Sequence, residues 1–298
     1  MIEVKNVTKT FDGFRALDNL SMTVPSGAVY GLVGPNGSGK STIIRHITGI
    51  YRPDSGAVLV DGQPVFENPA VKEKIAYIPD DIFYFLQSSV RDMMRYYRGI
   101  YPAFDTERYE KLKEVFTELD ERKTIRTMSK GMQKQAAFWL QMCLRPEVLV
   151  LDEPVDGLDP VMRRQIWGLL MADAAERGIT VLVSSHNLRE LEDVCDHVGI
   201  LDHGRLLLER SLDDLQGNIT KIQIALPDER QLPRELNLVH ESVSGRLHTL
   251  IVRGDAEEVQ AKLRECEPLF MDALPLSLEE IFIYELGGND YAVKDILL

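Results

Sequence analysis

The chain has 298 residues, 44% of them hydrophobic and 27% charged, with a net charge of -13. This length can bury a large core and predicts two domains of globular composition. The acidic balance argues against extensive binding along nucleic-acid backbones, which needs a basic face, and leaves only a local basic patch open; no apolar run approaches the roughly 18 residues that cross a bilayer.

The opening residues Met1-Ile2-Glu3-Val4-Lys5 lack the apolar segment of a signal peptide, so any membrane part is expected from another chain. Ile2, Val4 and Val7 predict a first strand, and the alternation of Leu20, Met22 and Val24 predicts a second. Pro25-Ser26-Gly27 turns the chain into Val29-Tyr30-Gly31-Leu32-Val33, which is apolar enough for a buried strand. Next come Gly34-Pro35-Asn36-Gly37-Ser38-Gly39-Lys40-Ser41, which match G-x-x-x-x-G-K-[ST], and then Thr42-Ile43-Ile44-Arg45-His46-Ile47, the start of a helix. A loop between strand and helix aims backbone N–H groups and the positive end of a helix dipole at one spot, so it holds phosphate. Lys40 is placed to reach the β- and γ-phosphates, and Ser41 to offer its hydroxyl to Mg²⁺. A glycine-rich turn alone carries little weight, but the full pattern between strand and helix carries much.

Ala57-Val58-Leu59-Val60 with Asp61-Gly62 reads as strand and turn, and Ile75-Ala76-Tyr77-Ile78 as a further short strand. After Pro79 the periodicity becomes helical. Ser89 caps a helix through Met93, Met94 and Tyr97. Asp105 or Thr106 caps another containing Tyr109, Leu112, Val115, Phe116 and Leu119. A third is expected from Ser129 through Ala136, Ala137, Trp139 and Leu140. Val148-Leu149-Val150-Leu151 returns to an apolar strand. Asp159-Pro160 opens a helix that Gly178 closes. Thr180-Val181-Leu182-Val183 is another buried strand, Leu188 to Cys195 a helix, and Val198-Gly199-Ile200-Leu201 begins a hairpin near His203-Gly204. Buried parallel strands joined by helices predict a sheet covered on both faces. From about Ser211 the pattern is α+β: strands at Lys221 to Leu226 and Leu247 to Val252, a helix from Ala256 to Leu263, and a capped start at Ser277-Leu278-Glu279-Glu280.

The strand at Val148 ends in Asp152-Glu153, and adjacent carboxylates at a strand's C-terminal end are what a magnesium–nucleotide site requires. Asp152 can hold the ion beside Ser41, and Glu153 can act as general base on the attacking water. Ser184-Ser185-His186 follows the strand at Val181, again at the edge where ligands bind in open α/β sheets, so His186 is a candidate for the γ-phosphate and the attacking water. The three cysteines, Cys143, Cys195 and Cys266, have no C-x-x-C spacing; neither a thiolate-bound metal nor a disulfide framework is expected of them, and reduced thiols in a cytosolic protein are the simpler reading.

Taken together, these residues resemble the nucleotide-binding subunit of an ABC transporter over residues 1–210. The loop from Gly34 to Ser41 resembles Walker A, with Thr42 after it, and Val148 to Glu153 resembles Walker B. Gly157-Leu158-Asp159 is similar to the D-loop, and His186 falls at the switch histidine. Met128-Ser129-Lys130-Gly131-Met132 stands where the family signature L-S-G-G-Q belongs, and Phe11 at the aromatic position that stacks on adenine. The resemblance implies an α/β fold: a P-loop NTPase core of ABC ATPase type with an antiparallel β subdomain and a helical subdomain over about 82–145, followed by a small α+β domain over 211–298. It further implies ATP and Mg²⁺ as ligands, and a membrane permease partner on the cytoplasmic side of the cell membrane, with no nucleic acid. It also implies a head-to-tail pairing with a second nucleotide-binding subunit, identical or divergent. In such a pair Ser129 and the N–H of Gly131 face the γ-phosphate of the partner's nucleotide, and Asp159 joins the shared site. A groove beside residue 80 receives a helix of the permease in this family, and Ile82, Phe83, Tyr84, Phe85 and Leu86 form an apolar, aromatic run there. A short following domain and the Ser-Lys-Gly-Met form of the signature resemble the ABC-2 export group.

Two departures stand out. Lys130 and Met132 replace a glycine and the glutamine of the signature, while Ser129 and Gly131 remain. Asp80 stands where the family usually has a magnesium-binding glutamine; an aspartate is shorter and, when ionised, only accepts hydrogen bonds. Other readings share part of the pattern. A soluble ABC ATPase of the translation type usually has two ATPase domains in one chain, and one of the DNA-repair type needs a long coiled coil. A P-loop kinase needs neither His186 nor the signature. A binding-only ATP switch suits Asp80 but leaves Glu153 without a task.

Overall fold

A computed structural model of the chain describes residues 1–217, 219–227, 232–233 and 235–286. Up to residue 211 the elements are β1 (Ile2–Phe11), β2 (Phe14–Val24), β3 (Val29–Val33), α1 (Lys40–Ile47), β4 (Ser55–Val60), β5 (Gln63–Pro64), α2 (Pro69–Lys72), β6 (Ile75–Ile78), α3 (Val90–Ile100), α4 (Thr106–Leu112), α5 (Lys130–Met142), β7 (Val148–Asp152), α6 (Pro160–Arg177), β8 (Thr180–Ser185), β9 (His197–Asp202) and β10 (Arg205–Ser211). After them come α7 (Leu212–Gly217), β11 (Ile219–Ala225), β12 (Leu238–Ser244), β13 (Leu247–Arg253), α8 (Ala256–Arg264), β14 (Phe270–Leu274) and α9 (Leu278–Leu286). The chain divides into two compact units, Met1–His186 with His197–Glu209, and Asn187–Asp196 with Arg210–Leu298.

Two sheets build the first unit. One is antiparallel, in the order β2-β1-β4-β5; the other has six strands in the order β10-β9-β3-β8-β7-β6. In the second, β3 pairs in parallel with β8 and β9, and β7 in parallel with β8 and β6. Every residue of β3, β7 and β8 is buried, as expected of a parallel sheet covered on both faces. Because these strands run the same way, the segments that follow β3, β6, β7 and β8 all leave from one edge. Between the two sheets lies a core that includes Tyr30, Leu32, Ile43, Ile44, Val148 and Leu182.

The helical segment between β6 and β7 follows its capping chemistry. Ser89 accepts from Asp92 N and the Asp92 carboxylate from Ser89 N, a reciprocal capping box that opens α3. Asp105 caps α4 and Ser129 caps α5. The buried Trp139 of α5 stacks on Tyr109, ring centroids 4.8 Å apart, and donates its indole N–H to Tyr109 O at 2.9 Å. Here the structure differs from expectation: α4 stops at Leu112, and the residues onward to Leu119 wind through mostly i→i+3 contacts, such as Val115 N to Leu112 O and Leu119 N to Phe116 O, with one i→i+4 bond from Phe116 N to Leu112 O. Phe116 and Leu119 are buried all the same.

The second unit is an antiparallel sheet in the order β12-β13-β11-β14. Ile222 and Ile224 of β11 pack with Val259 and Leu263 of α8. The segment Asn187–Asp196 belongs to this unit. It forms a 3₁₀ turn at Leu188–Glu190 and not the expected helix to Cys195, and it meets α9 through an Arg189–Glu279 ion pair at 2.9 Å and a Leu278 N to Glu192 carboxylate bond at 3.0 Å. Ser277 and Glu280 cap the start of α9 reciprocally.

Candidate nucleotide site

The loop between β3 and α1 is shaped by two glycines. Gly39, the residue before α1, has φ of 110°, a conformation that side chains strongly disfavour. At Gly34 a Cβ would lie 2.2 Å from Leu201 O and 2.6 Å from Ser38 Oγ, so only glycine lets the strands and the loop approach. Lys40 is 6% exposed and donates its ammonium to Gly34 O at 2.6 Å and Pro35 O at 3.3 Å, binding the loop back on itself. Burial pulls the Lys40 pKa below its usual range, and the nearby Glu153 and Asp152 carboxylates oppose that pull. Ser38 Oγ is buried in the same loop and, among the described residues, has no hydrogen-bond partner.

Pro35, Asn36, Gly37, Gly39, Lys40, Ser41 and Thr42 line a cavity of about 340 Å³. Asp80 and Glu153 line it too, as do Phe11 and Phe14. Gly34 and Ser38 complete the loop behind the lining.

Glu153 is the centre of the polar network. Its backbone takes φ of 47°, a left-handed conformation that costs a non-glycine residue about 1–3 kcal/mol. Fixed contacts hold it there: Glu153 N donates to Ser184 O at 3.2 Å and Ser184 Oγ at 3.1 Å, and Glu153 O accepts from Lys134 Nζ at 2.6 Å. The carboxylate then lies 3.6 Å from Lys40 Nζ through one oxygen and 2.9 Å from His186 Nδ1 through the other. Next to it, the buried Asp152 accepts a 2.6 Å bond from Ser184 Oγ. Ser184 therefore ties the two adjacent carboxylate residues to β8. His186, half exposed, is brought to the site by its bond to Glu153.

Phe11 and Phe14 are cross-strand partners across the two-residue turn Asp12-Gly13, so their side chains share one face of the β1–β2 hairpin. Phe11 also meets the ring of Tyr51 at 5.4 Å and the Lys9 ammonium at 5.4 Å. Phe14, 68% exposed, is a lining residue that sequence reading missed, although Asp-Gly between two apolar runs is a hairpin signal that sets it opposite Phe11. Lys134 was also missed, and no motif announces it. Asp152 and His186 border the cavity through Ser184 and Glu153 without lining it, and three further expected residues stand apart from that network. Ser129 is exposed at the start of α5, accepting from Met132 N at 3.2 Å. Gly131 lies beside it, close to Gly157 O. Asp159 caps α6, accepting from Val161 N and Met162 N at 3.0 Å each.

The profile of the family described as ABC transporter matches residues 17–156. The chain is 35% identical to the ABC transporter ATP-binding protein YtrB of Bacillus subtilis (strain 168), covering 97% of this chain and 99% of that one. The chain belongs to the ABC transporter family, as an ATP-binding subunit. Another relative, the Nod factor export ATP-binding protein I of Sinorhizobium fredii, is 30% identical over 96% of this chain and 86% of its own. Among solved structures, the dimeric bacterial ABC transporter cassette MJ0796 superposes with a TM-score of 0.63 at 25% identity, over 71% of this chain and 99% of that one. ABC ATP-binding subunits hydrolyse ATP and work as dimers with membrane permeases, and the parallel sheet with its antiparallel companion is the fold of that ATPase. Among the described residues no helix is long and apolar enough to cross a membrane.

Proposed function

We propose that this ABC subunit powers an exporter, docked from the cytoplasmic side on a separate permease and paired head to tail with a second ATP-binding subunit, identical or divergent. The observation that carries the chemical reading is the placing of one carboxylate, Glu153, between Lys40 at 3.6 Å and His186 at 2.9 Å at the floor of the phosphate loop. The names of relatives such as the Nod factor export protein support the direction of transport.

The loop N–H groups and Lys40 bind the β- and γ-phosphates. Glu153 takes the proton of the attacking water, and His186 holds the second carboxylate oxygen so that the first faces the phosphate. Phe11 stacks on adenine. Ser41, Asp152 and Asp80 are the residues that would hold Mg²⁺. Among the described residues there is no cluster of three or more histidine, cysteine or carboxylate side chains poised for a metal. One hydroxyl and one or two carboxylates suit an ion whose shell is completed by substrate phosphates and water. When bound, that ion supplies charge neutralisation at the phosphates. Ser129, exposed at the start of α5, and the half-buried Gly131 beside it lie outside the chain's own cavity and serve the nucleotide of the second subunit, where Asp159 joins them.

Ile82, Phe83, Tyr84 and Leu86, with Ile125, Arg126 and Gln133, line a groove of about 270 Å³. Phe83 is 83% exposed and Leu86 62%. This apolar opening beside Asp80 takes the cytoplasmic helix of the permease.

The test is equilibrium binding of magnesium-bound AMP-PNP to the full chain, with extraction of the subunit from membranes in mild detergent. Micromolar binding, its loss in Lys40→Ala, and a co-purifying multi-span membrane protein are expected. A wild-type chain that binds no nucleotide at millimolar concentration overturns the reading.

A further inference from the structure

Lys134 lies in the second turn of α5 and is only 5% exposed. A buried ammonium needs acceptors, and this one has two from different parts of the site. It donates to the main-chain oxygen of Glu153 at 2.6 Å and pairs with Asp80 Oδ1 at 3.2 Å. The first contact bears on the left-handed peptide that aims the Glu153 carboxylate. The second bears on the cavity wall, because Asp80 lines the pocket beside Lys40 and Ser41. An unpaired carboxylate at that wall repels a triphosphate; the same carboxylate paired to a buried lysine does not.

We propose that Lys134 is a positioning residue that performs both tasks. It offsets the charge of Asp80 at the nucleotide wall, and it anchors the backbone of Glu153 from inside the same helix that Ser129 begins. An aspartate–lysine pair then stands in for the neutral side chain that this wall otherwise needs. The inference rests on the nucleotide reading of the cavity.

The two tasks separate in a double-mutant cycle on the full chain. The variants are Lys134→Met, Asp80→Asn and the pair together, and the readouts are AMP-PNP affinity with Mg²⁺ by calorimetry, thermal melting, and kcat for ATP. Lys134→Met alone leaves Asp80 unpaired and is expected to weaken AMP-PNP binding about tenfold. Asp80→Asn alone keeps a side-chain oxygen for Mg²⁺ and leaves no carboxylate facing the phosphates, so it is expected to bind AMP-PNP more tightly than Lys134→Met does. In the double variant neither charge remains, so affinity is expected to rise at least about threefold above that of Lys134→Met, while kcat stays about tenfold low because Glu153 O still lacks its donor. A purely structural role would not restore affinity while leaving kcat low. Lys134→Met binding as wild type does, or a double variant as weak as Lys134→Met, overturns the proposal. If Lys134→Met fails to melt cooperatively, a folded double variant supports the pair, and failure of both overturns it. Absence of AMP-PNP binding by the wild-type chain would instead remove the nucleotide reading itself.

Discussion

Replacing Glu153 with glutamine keeps the length of the side chain and one carbonyl oxygen but removes the proton acceptor. In the wild-type site the carboxylate is shared between His186 Nδ1 at 2.9 Å and Lys40 Nζ at 3.6 Å. Losing a general base typically costs 10²–10⁴ in rate, or about 2.7–5.4 kcal/mol of transition-state stabilisation at 1.36 kcal/mol per decade. Binding should move the other way. At an effective dielectric of about 20, unit charges at the 3.6 Å separation of Lys40 and Glu153 attract by a gross 4–5 kcal/mol or so. A triphosphate must compete with that attraction for the ammonium, and most of it is offset by solvation. The glutamine variant is therefore expected to bind ATP as tightly as wild type or up to about tenfold more tightly. Phosphate release at saturating magnesium–ATP gives kcat, and calorimetry gives the affinity. The backbone contacts of Glu153 are untouched, so the melting temperature serves as a control. A kcat within about threefold of wild type removes Glu153 from the base role, and a tenfold loss of affinity refutes the electrostatic argument.

Ser184→Ala is expected to lower stability by about 1–3 kcal/mol in denaturant unfolding, because Asp152 loses its 2.6 Å donor and Glu153 N loses one acceptor. Its kcat should fall with little change in nucleotide affinity, since no phosphate contact is removed. Trp139→Ala removes a ring that is 1% exposed, stacks on Tyr109 and Phe116, and bonds Tyr109 O. A cost of about 3–5 kcal/mol is expected from urea unfolding, with α4 and α5 loosened together. Phe83→Glu places a charge at an 83% exposed position of the Asp80-side groove. Its ATPase rate without the permease should match wild type, while co-extraction of the membrane partner is lost.

The phosphate loop was legible because its residues are contiguous and its spacing is itself the geometry. Asp152-Glu153 and His186 were legible for a related reason: each ends an apolar strand, and parallel strands deliver their ends to one edge. Lys134 could not be read, because its partners are 54 residues away at Asp80 and 19 away at Glu153. Nothing in the local sequence of α5 distinguishes a lysine that turns inward. The two helices that fell short teach a different point. Phe116, Leu119, Leu188, Leu191 and Val194 are all buried at helical spacing, yet their segments wind through a mixture of i→i+3 and i→i+4 bonds and form no continuous α-helix. Apolar spacing of three and four fixes which side chains reach the core, and both kinds of winding satisfy it. Strand β12 escaped for the opposite reason, since all seven of its residues are exposed and no alternation marks it.

Helix α5, 13 residues and about 20 Å long, is a stiff rod clamped near its far end by Trp139. Its tip carries Ser129 and its next turn carries Lys134. Any tilt forced on the tip by a docked neighbour is delivered, through one lever arm, to the peptide that aims Glu153. In the proposed pairing, contact at the tip and the set of the Glu153 peptide would therefore share one mechanical part.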